Sequence, residues 1–309
     1  LNQELSWGGL GKSIFINKIL IIGGSGYLGR HLLKALKKNN EVFFTSQNKC
    51  EKENSLILNL ESSSTYNNID FNNFDIIFML VSNMSGIKSK IMSCSTFDLN
   101  CKSYKDFLNH LVEINSSKNF VYISSMTVYS VYNDIPVNES GNTELPPNSY
   151  GLSKLFAEQL TKFYSQENDF KAVIIRIPGL FGGDRKSGFI YNAIDKISKN
   201  ENFHVSTENL KYWETISVED ASKMIDVFLN FYNWKKECQI FNISYGQKTD
   251  IVELAFFVKG LLNSSSKIST SKPKGYRPFY LNNNKYLNLT NNFSMSFNQS
   301  LSTYINSIL

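Results

Sequence analysis

The chain has 309 residues, 42% hydrophobic and 19% charged, which allows a large core in one big domain or two intimately joined ones and excludes a disordered chain. Its net charge of +5 lies in short groups such as Lys34/Lys37/Lys38 and Lys235/Lys236, with no basic block interleaved with aromatics, so nucleic acid is not an expected partner. Four scattered cysteines without a C-x-x-C pair and three distant histidines give no zinc pattern and suit free thiols in a reducing cytoplasm. No apolar run reaches the roughly 18 residues that span a bilayer.

Residues 1–17 lack a secretory pattern. Their Gly8-Gly9-Leu10-Gly11-Lys12-Ser13 stretch glances at a phosphate loop, but Ser6 stands where its first glycine is required and no strand precedes it. Opening on Leu rather than Met, this extension reads as a gene-start artefact or a fragment edge and stays outside the fold argument. From Lys18 the chain becomes regular. The apolar run Lys18–Ile22, ended by glycines, suits a strand buried on both faces of a parallel sheet. Leu28, Leu32, Leu33 and Leu36 then recur at helical spacing, with lysines on the other face. Strands are predicted at Val42–Thr45, Leu56–Leu60, Asp75–Val81, Phe120–Ser124 and Val173–Ile177, with helices clearest at Ser103–Ile114 and Gly151–Tyr164. The later third is less periodic, with a helix at Val218–Phe231, a strand at Gln239–Ile243 and a helix at Ile251–Leu262. Leu281–Asn292 reads as loop and short elements. This alternation predicts an α/β fold, a Rossmann-type doubly wound parallel sheet of about seven strands with a smaller C-terminal substrate-binding lobe. The expected division is 18–178 for the dinucleotide-binding domain, with 216–243 returning to it, and 179–309 mainly for the substrate lobe.

Gly23-Gly24-Ser25-Gly26-Tyr27-Leu28-Gly29 lies between the first strand and helix. Glycines there permit a tight turn and close backbone approach to a pyrophosphate, which the helix N-terminus then faces. A tight turn without a ligand is the plain alternative. Farther on, Tyr150 and Lys154 stand one helical turn apart and project from one face. A phenol titrates at about 10; a neighbouring ammonium is expected to lower that value and make Tyr150 a usable general acid/base. A chance pair on a solvated helix face is the alternative.

The G-x-x-G-x-x-G spacing resembles the extended short-chain dehydrogenase/reductase superfamily, which includes nucleotide-sugar epimerases, dehydratases and reductases. Further stretches follow in that superfamily's order: Phe120–Tyr129 with a catalytic Ser/Thr, Glu139 after Pro136, the Y-x-x-x-K of Pro147–Lys154, Arg176–Gly182, Glu214–Asp220 and Phe241–Ile243. The resemblance implies an NAD(P)-dependent enzyme with Ser125, Tyr150 and Lys154 as its catalytic set, Ser124 being the nearest rival for the serine role. Lys154 would also bond the nicotinamide ribose. Gly23, Gly26, Tyr27, Leu28 and Gly29 would hold the dinucleotide, with Arg30, Ser46, Asn59, Leu60, Leu80 and Asn100 as further cofactor positions. Arg30 could equally be an exposed first-turn residue and Asn100 an ordinary polar helix position. Substrate contacts fall on Thr127, Gly179 and Arg277, a surface arginine being the alternative at the last. Phe189 and Tyr191 could line the pocket, but their helical spacing favours core.

Departures from the superfamily pattern narrow the chemistry. The 4,6-dehydratases place Asp-Glu where this chain has Met126-Thr127, so dehydration is not expected. The cysteine of the fucose-forming epimerase/reductases is absent too. Ser125-Met-Thr-Val-Tyr129 instead resembles the pattern of sugar C4-epimerases and simple 4-ketoreductases, which implies one or the other activity on a nucleotide-linked sugar. Ser46, followed by Gln47-Asn48-Lys49, stands where an acidic residue normally holds the ribose of NAD. NADP(H) is therefore favoured over NAD(H), with Arg30 able to reach a 2′-phosphate. Two other readings remain open: a non-catalytic dinucleotide-binding sensor or scaffold, and a reductase of small non-sugar carbonyls. A cytoplasmic protein without a membrane partner is expected, and the resemblance suggests a homodimer through the Ser103–Ile114 and Gly151–Tyr164 helices.

Overall fold

In the computed structural model, which describes residues 17–85, 91–116, 118–168, 170–207, 213–271 and 279–309, the apolar run Lys18–Ile22 is strand β1. It is followed by α1 (Tyr27–Leu36), β2 (Glu41–Ser46), β3 (Ser55–Ile57), β4 (Ile76–Met79), α2 (Cys94–Phe97), α3 (Tyr104–Glu113), β5 (Asn119–Ser125), α4 (Ser149–Glu167) and β6 (Lys171–Ile177). A π-helical turn, Asp98–Ser103, joins α2 to α3. The chain continues through β7 (Gly179–Phe181), α5 (Phe189–Ser198), β8 (Phe203–Val205), β9 (Thr215–Ser217), α6 (Val218–Phe231), β10 (Gln239–Asn242), α7 (Ile251–Leu261), β11 (Ile268–Thr270), α8 (Asn284–Leu289) and α9 (Phe297–Ile308).

Seven strands form one sheet in the order β10-β6-β5-β4-β1-β2-β3, every pairing parallel. This is the doubly wound arrangement, and its direction of winding reverses between β1 and β4, where such sheets open a crevice at their carboxyl ends. The side-chain period of two sends alternate residues of β1 to opposite layers. Ile19 and Ile21 pack with Leu32, Leu36, Met224 and Phe228 from α1 and α6. Leu20 and Ile22 pack with Phe107, Leu108 and Ala157 from α3 and α4. Burying each such side chain contributes roughly 1.5–3 kcal/mol, so continuous apolar strands at the centre of the sheet are what the two-layer architecture requires.

The later chain contributes to both regions. β10 pairs with β6 at the sheet edge, Gln239 opposite Val173, and Tyr286 of α8 joins the α1/α6 layer. A separate core gathers Ile190, Ala193 and Ile194 of α5, Leu254 and Val258 of α7, and Leu301 and Tyr304 of α9. Two parallel strand pairs, β7–β9 and β8–β11, lie outside the main sheet. The strand expected at Leu56–Leu60 is shorter, ending at Ile57. The physical reason is local: Asn59 Oδ1 accepts the Glu61 N–H (3.1 Å) and Thr65 Oγ1 closes on Asn59 from both sides, which bends the chain off the ladder. Among the described residues no helix is long and apolar enough to cross a membrane, no cluster of His, Cys, Asp and Glu could hold a metal ion, and the four cysteines are free.

Candidate active site

The glycine loop is built by close approach. Gly23 has φ +86°, and a Cβ there would lie 2.8 Å from Val81 Cγ2, so the turn rests directly on the segment after β4. A Cβ on Gly29 would lie 2.5 Å from the Gly23 carbonyl oxygen, which lets α1 start against the loop. Gly26 caps α1 in extended conformation, and it has no side chain to hydrogen-bond to the helix start. Among the described residues the first N–H groups of α1 therefore present partial positive charge without a side-chain cap, and a pyrophosphate fits this cradle. Leu28 packs on the core in the first turn, while the Tyr27 hydroxyl donates to the Gly182 carbonyl (2.7 Å).

Arg30 is engaged already. Its guanidinium pairs with Asp184 (2.7 Å) and donates to the Ser25 carbonyl (3.0 Å). At the end of β2 the Ser46 hydroxyl turns back onto the Asn48 carbonyl (2.5 Å). Asn59 is spent on its own turn, as above, and Leu60 is buried in the core beneath α3. Leu80 continues from β4, its N–H bonded to Ile22 O (3.0 Å), and packs on the α1 layer.

Across the sheet, β5 delivers Ser125 to a single 3₁₀ turn, Met126–Val128. Ser125 Oγ accepts from the Thr127 N–H (3.2 Å) and hydroxyl (3.0 Å), leaving its own proton to donate. The rival, Ser124, has a buried hydroxyl that donates to Glu158 Oε1 (2.5 Å). The first turn of α4 lies hard against the 3₁₀ turn: a Cβ on Gly151 would sit 2.0 Å from the Thr127 carbonyl oxygen. That contact brings Tyr150 to the Ser125 side of the sheet. Tyr150 and Lys154 share the buried face of α4, 7% and 2% exposed.

One expectation is corrected here. The ammonium beside the phenol was expected to lower the Tyr150 pKa. Instead burial pushes Tyr150 up to about 12, opposed by the Ser82 hydroxyl. Lys154 Nζ donates to the Ile123 carbonyl (2.5 Å) and lies 4.2 Å from the centre of the Tyr122 ring. Burial lowers Lys154 to about 7, with Glu158 opposing. In a site of low dielectric the desolvation of the charged form dominates at both residues, and at Lys154 it outweighs Glu158 a turn away. The site thus holds a phenol that keeps its proton and an amine that gives one up near neutrality.

Four features escaped the sequence reading. Ser82, Gly151 and Asp184 carry no motif of their own. Glu158 did carry a signal, since it stands four residues after Lys154 and eight after Tyr150, a third polar residue on one helix stripe. It forms a fully buried two-point pair with Arg176, at 2.9 and 2.6 Å. Asn100 sits in the π-helical turn and clamps the Asn83 backbone, accepting from its N–H (2.6 Å) and donating to its carbonyl (2.9 Å).

On the substrate side, Gly179 is exposed at the start of β7, its N–H bonded to the Glu214 carbonyl (3.2 Å). Burial holds the Glu214 carboxyl well above the usual range, and its Oε2 accepts the Leu281 N–H (2.9 Å). Phe189 and Tyr191 pack on the α5/α7/α9 core. Arg277 lies outside the described residues.

Residues 19–244 match the model of the NAD dependent epimerase/dehydratase family. A putative UDP-glucose 4-epimerase of Methanocaldococcus jannaschii is 25% identical over 268 residues, covering 83% of this chain and 86% of the relative. A dTDP-4-dehydro-6-deoxyglucose reductase of Escherichia coli is 25% identical over 280 residues, covering 83% and 85%. The fold is shared with RMD from Pseudomonas aeruginosa, solved with NADPH, at a TM-score of 0.78 and 19% identity over 94% of this chain and 98% of that one.

Proposed function

This chain belongs to the NAD dependent epimerase/dehydratase family, and on that premise we propose that it moves hydride at C4 of a nucleotide-linked sugar, as a C4-epimerase or a 4-ketoreductase, with Ser125, Tyr150 and Lys154 as the catalytic set. The observation that carries this reading is the strip Leu80–Ser82. Val81 touches the Gly23 turn and Ser82 faces the Tyr150 hydroxyl, so a dinucleotide laid on the glycine loop has its path toward the proton donor. Gly26, Tyr27 and Gly29 would hold the pyrophosphate through the start of α1, and Lys154 the nicotinamide ribose. When bound, the nicotinamide supplies or accepts the hydride. Ser125 donates a hydrogen bond to the C4 oxygen. Tyr150 Oη, neutral at physiological pH, gives that oxygen its proton on reduction and takes it back on oxidation.

NADP(H) is favoured over NAD(H), supported by the absence of an acidic side chain from Ser46 to Lys49. For Arg30 to reach a 2′-phosphate it would exchange Asp184 for the phosphate. Met126-Thr127 after Ser125 favours simple hydride and proton transfer over loss of water. Residues 18–178, with 216–243, are assigned to the nucleotide-binding domain, and the rest of 179–309 mainly to a substrate lobe in which Thr127, Gly179 and Arg277 contact the sugar nucleotide. The enzyme is placed in the cytoplasm and is expected to work as a homodimer.

The test is incubation with UDP- and dTDP-linked sugars and their 4-keto forms, with and without added NADPH. Equilibration of C4 epimers without cofactor consumption identifies an epimerase, and stoichiometric NADPH oxidation a ketoreductase. Tyr150→Phe is expected to lower turnover by about 10²–10⁴-fold while dinucleotide still binds. Unimpaired turnover in that variant would refute the assignment.

A further inference from the structure

Ser82 carries a buried hydroxyl that the reaction described above does not use. It follows Val81, which packs on the Gly23 turn. Its Oγ is sealed from solvent and completes no well-aligned hydrogen bond among the described residues, a state that buried hydroxyls rarely tolerate without a purpose. Yet it lies close enough to the Tyr150 hydroxyl to favour the ionised form. The backbone beneath it is fixed from the helix that bears Tyr150. Asn100 clamps Asn83 at both its N–H and its carbonyl. The same amide donates to Ser153 Oγ (2.9 Å), which in turn donates to the Tyr150 carbonyl (2.8 Å). The β4 tip and the Tyr150 turn are thus one connected unit, and the Ser82 side chain contributes none of the bonds that hold it together.

We propose that Ser82 is a positioning residue for Tyr150, its hydroxyl turning to donate to the phenol oxygen as the proton leaves, so that proton transfer at Tyr150 is governed from the β4 tip. This rests on the oxidoreductase reading above. A hydroxyl that sits beside the phenol without a well-aligned bond in the resting site suits such a role, because its bond strengthens as negative charge develops on Tyr150 Oη. The other titratable groups around Tyr150 are Tyr122 on β5 and Lys154 a turn along α4. Beyond these, Glu158 is neutralised by Arg176 on β6.

The test uses the whole chain, with the Tyr150 ring Cζ followed by ¹³C NMR through alkaline pH while the protein stays folded, the signal being assigned by its loss in Tyr150→Phe. In Ser82→Ala the phenolate fraction of Tyr150 at a fixed pH is expected to fall roughly three- to tenfold, an upward shift of about 0.5–1 pH unit. Ser82→Thr is expected to restore it. An unchanged fraction in Ser82→Ala overturns the proposal. Because this readout needs no turnover, a shifted signal in a protein that converts no nucleotide sugar sinks the catalytic reading and leaves the Ser82–Tyr150 coupling standing.

Discussion

Burial acts on Tyr150 and Lys154 in opposite directions, and pH-dependent stability follows from each. An unfolded chain keeps the Lys154 proton to about pH 10.5, whereas the folded one releases it near 7. Between those values the unfolded state holds more protons, so this group makes stability rise with pH across that window and adds no slope below it. Tyr150 works the other way, its proton retained to about 12 in the fold, so it makes stability fall as pH climbs from 10 to 12. Melting midpoints measured from pH 7 to 10 should lose part of their rise in Lys154→Met. Gly151 offers a steric test at the same scale. With a Cβ placed 2.0 Å from the Thr127 oxygen, Gly151→Ala must push α4 off the Ser125 turn. We expect a loss of about 1–3 kcal/mol in urea unfolding and a larger loss of turnover than of dinucleotide binding. That Tyr150 and Lys154 share one face of a helix was legible in the sequence because helical spacing is fixed. The proton balance was not, since it depends on how deeply the fold buries a helix face, which spacing alone does not specify.

Among the elements, α4 binds the site to the sheet. Its stripe Tyr150, Lys154, Glu158 ends in the buried pair with Arg176 of β6, whose guanidinium also lies 4.6 Å from the Tyr129 ring centre. Removing one partner of such a pair leaves a charge in low dielectric. Glu158→Gln is therefore expected to cost about 3–5 kcal/mol, and the double change Glu158→Leu/Arg176→Met much less; chemical denaturation of both variants checks this. The alternation of strands and helices was legible because each has its own apolar period. Val218–Phe231 was read to its ends, and in the structure the Ser217 hydroxyl accepts from the Asp220 N–H at the start of α6. β3 was overextended because the Asn59 turn is a side-chain device that apolar periodicity cannot register. The helix before β5 begins earlier than Ser103 because the π turn, with Asn100 at its centre, joins α2 to α3 where the period of 3.6 is broken.

For the whole molecule, the outer face of α4 leaves Leu152, Phe156 and Phe163 exposed at 50%, 47% and 60%, at spacings that fall on one helix face. A homodimer through this face predicts that Phe156→Glu/Phe163→Glu sediments as a monomer with an unchanged circular dichroism spectrum. A wild-type chain that is itself monomeric at micromolar concentration contradicts the dimer. The two regions of a single chain also meet at the glycine loop, where Tyr27 is bonded to the carbonyl of Gly182, just after β7. If the division proposed above holds, that bond and the Arg30–Asp184 pair would together tie the tenure of a bound nucleotide to the posture of the sugar-binding side. A ketoreductase has to shed spent cofactor each cycle, whereas an epimerase gains by keeping the same molecule from one turnover to the next. Tyr27→Phe is expected to quicken nucleotide release about fivefold, the worth of one ordinary hydrogen bond, as read by stopped-flow displacement of NADPH fluorescence. Residence time, to which a phenol on the first turn of α1 would contribute, is then the quantity that would incline this architecture toward one trade or the other.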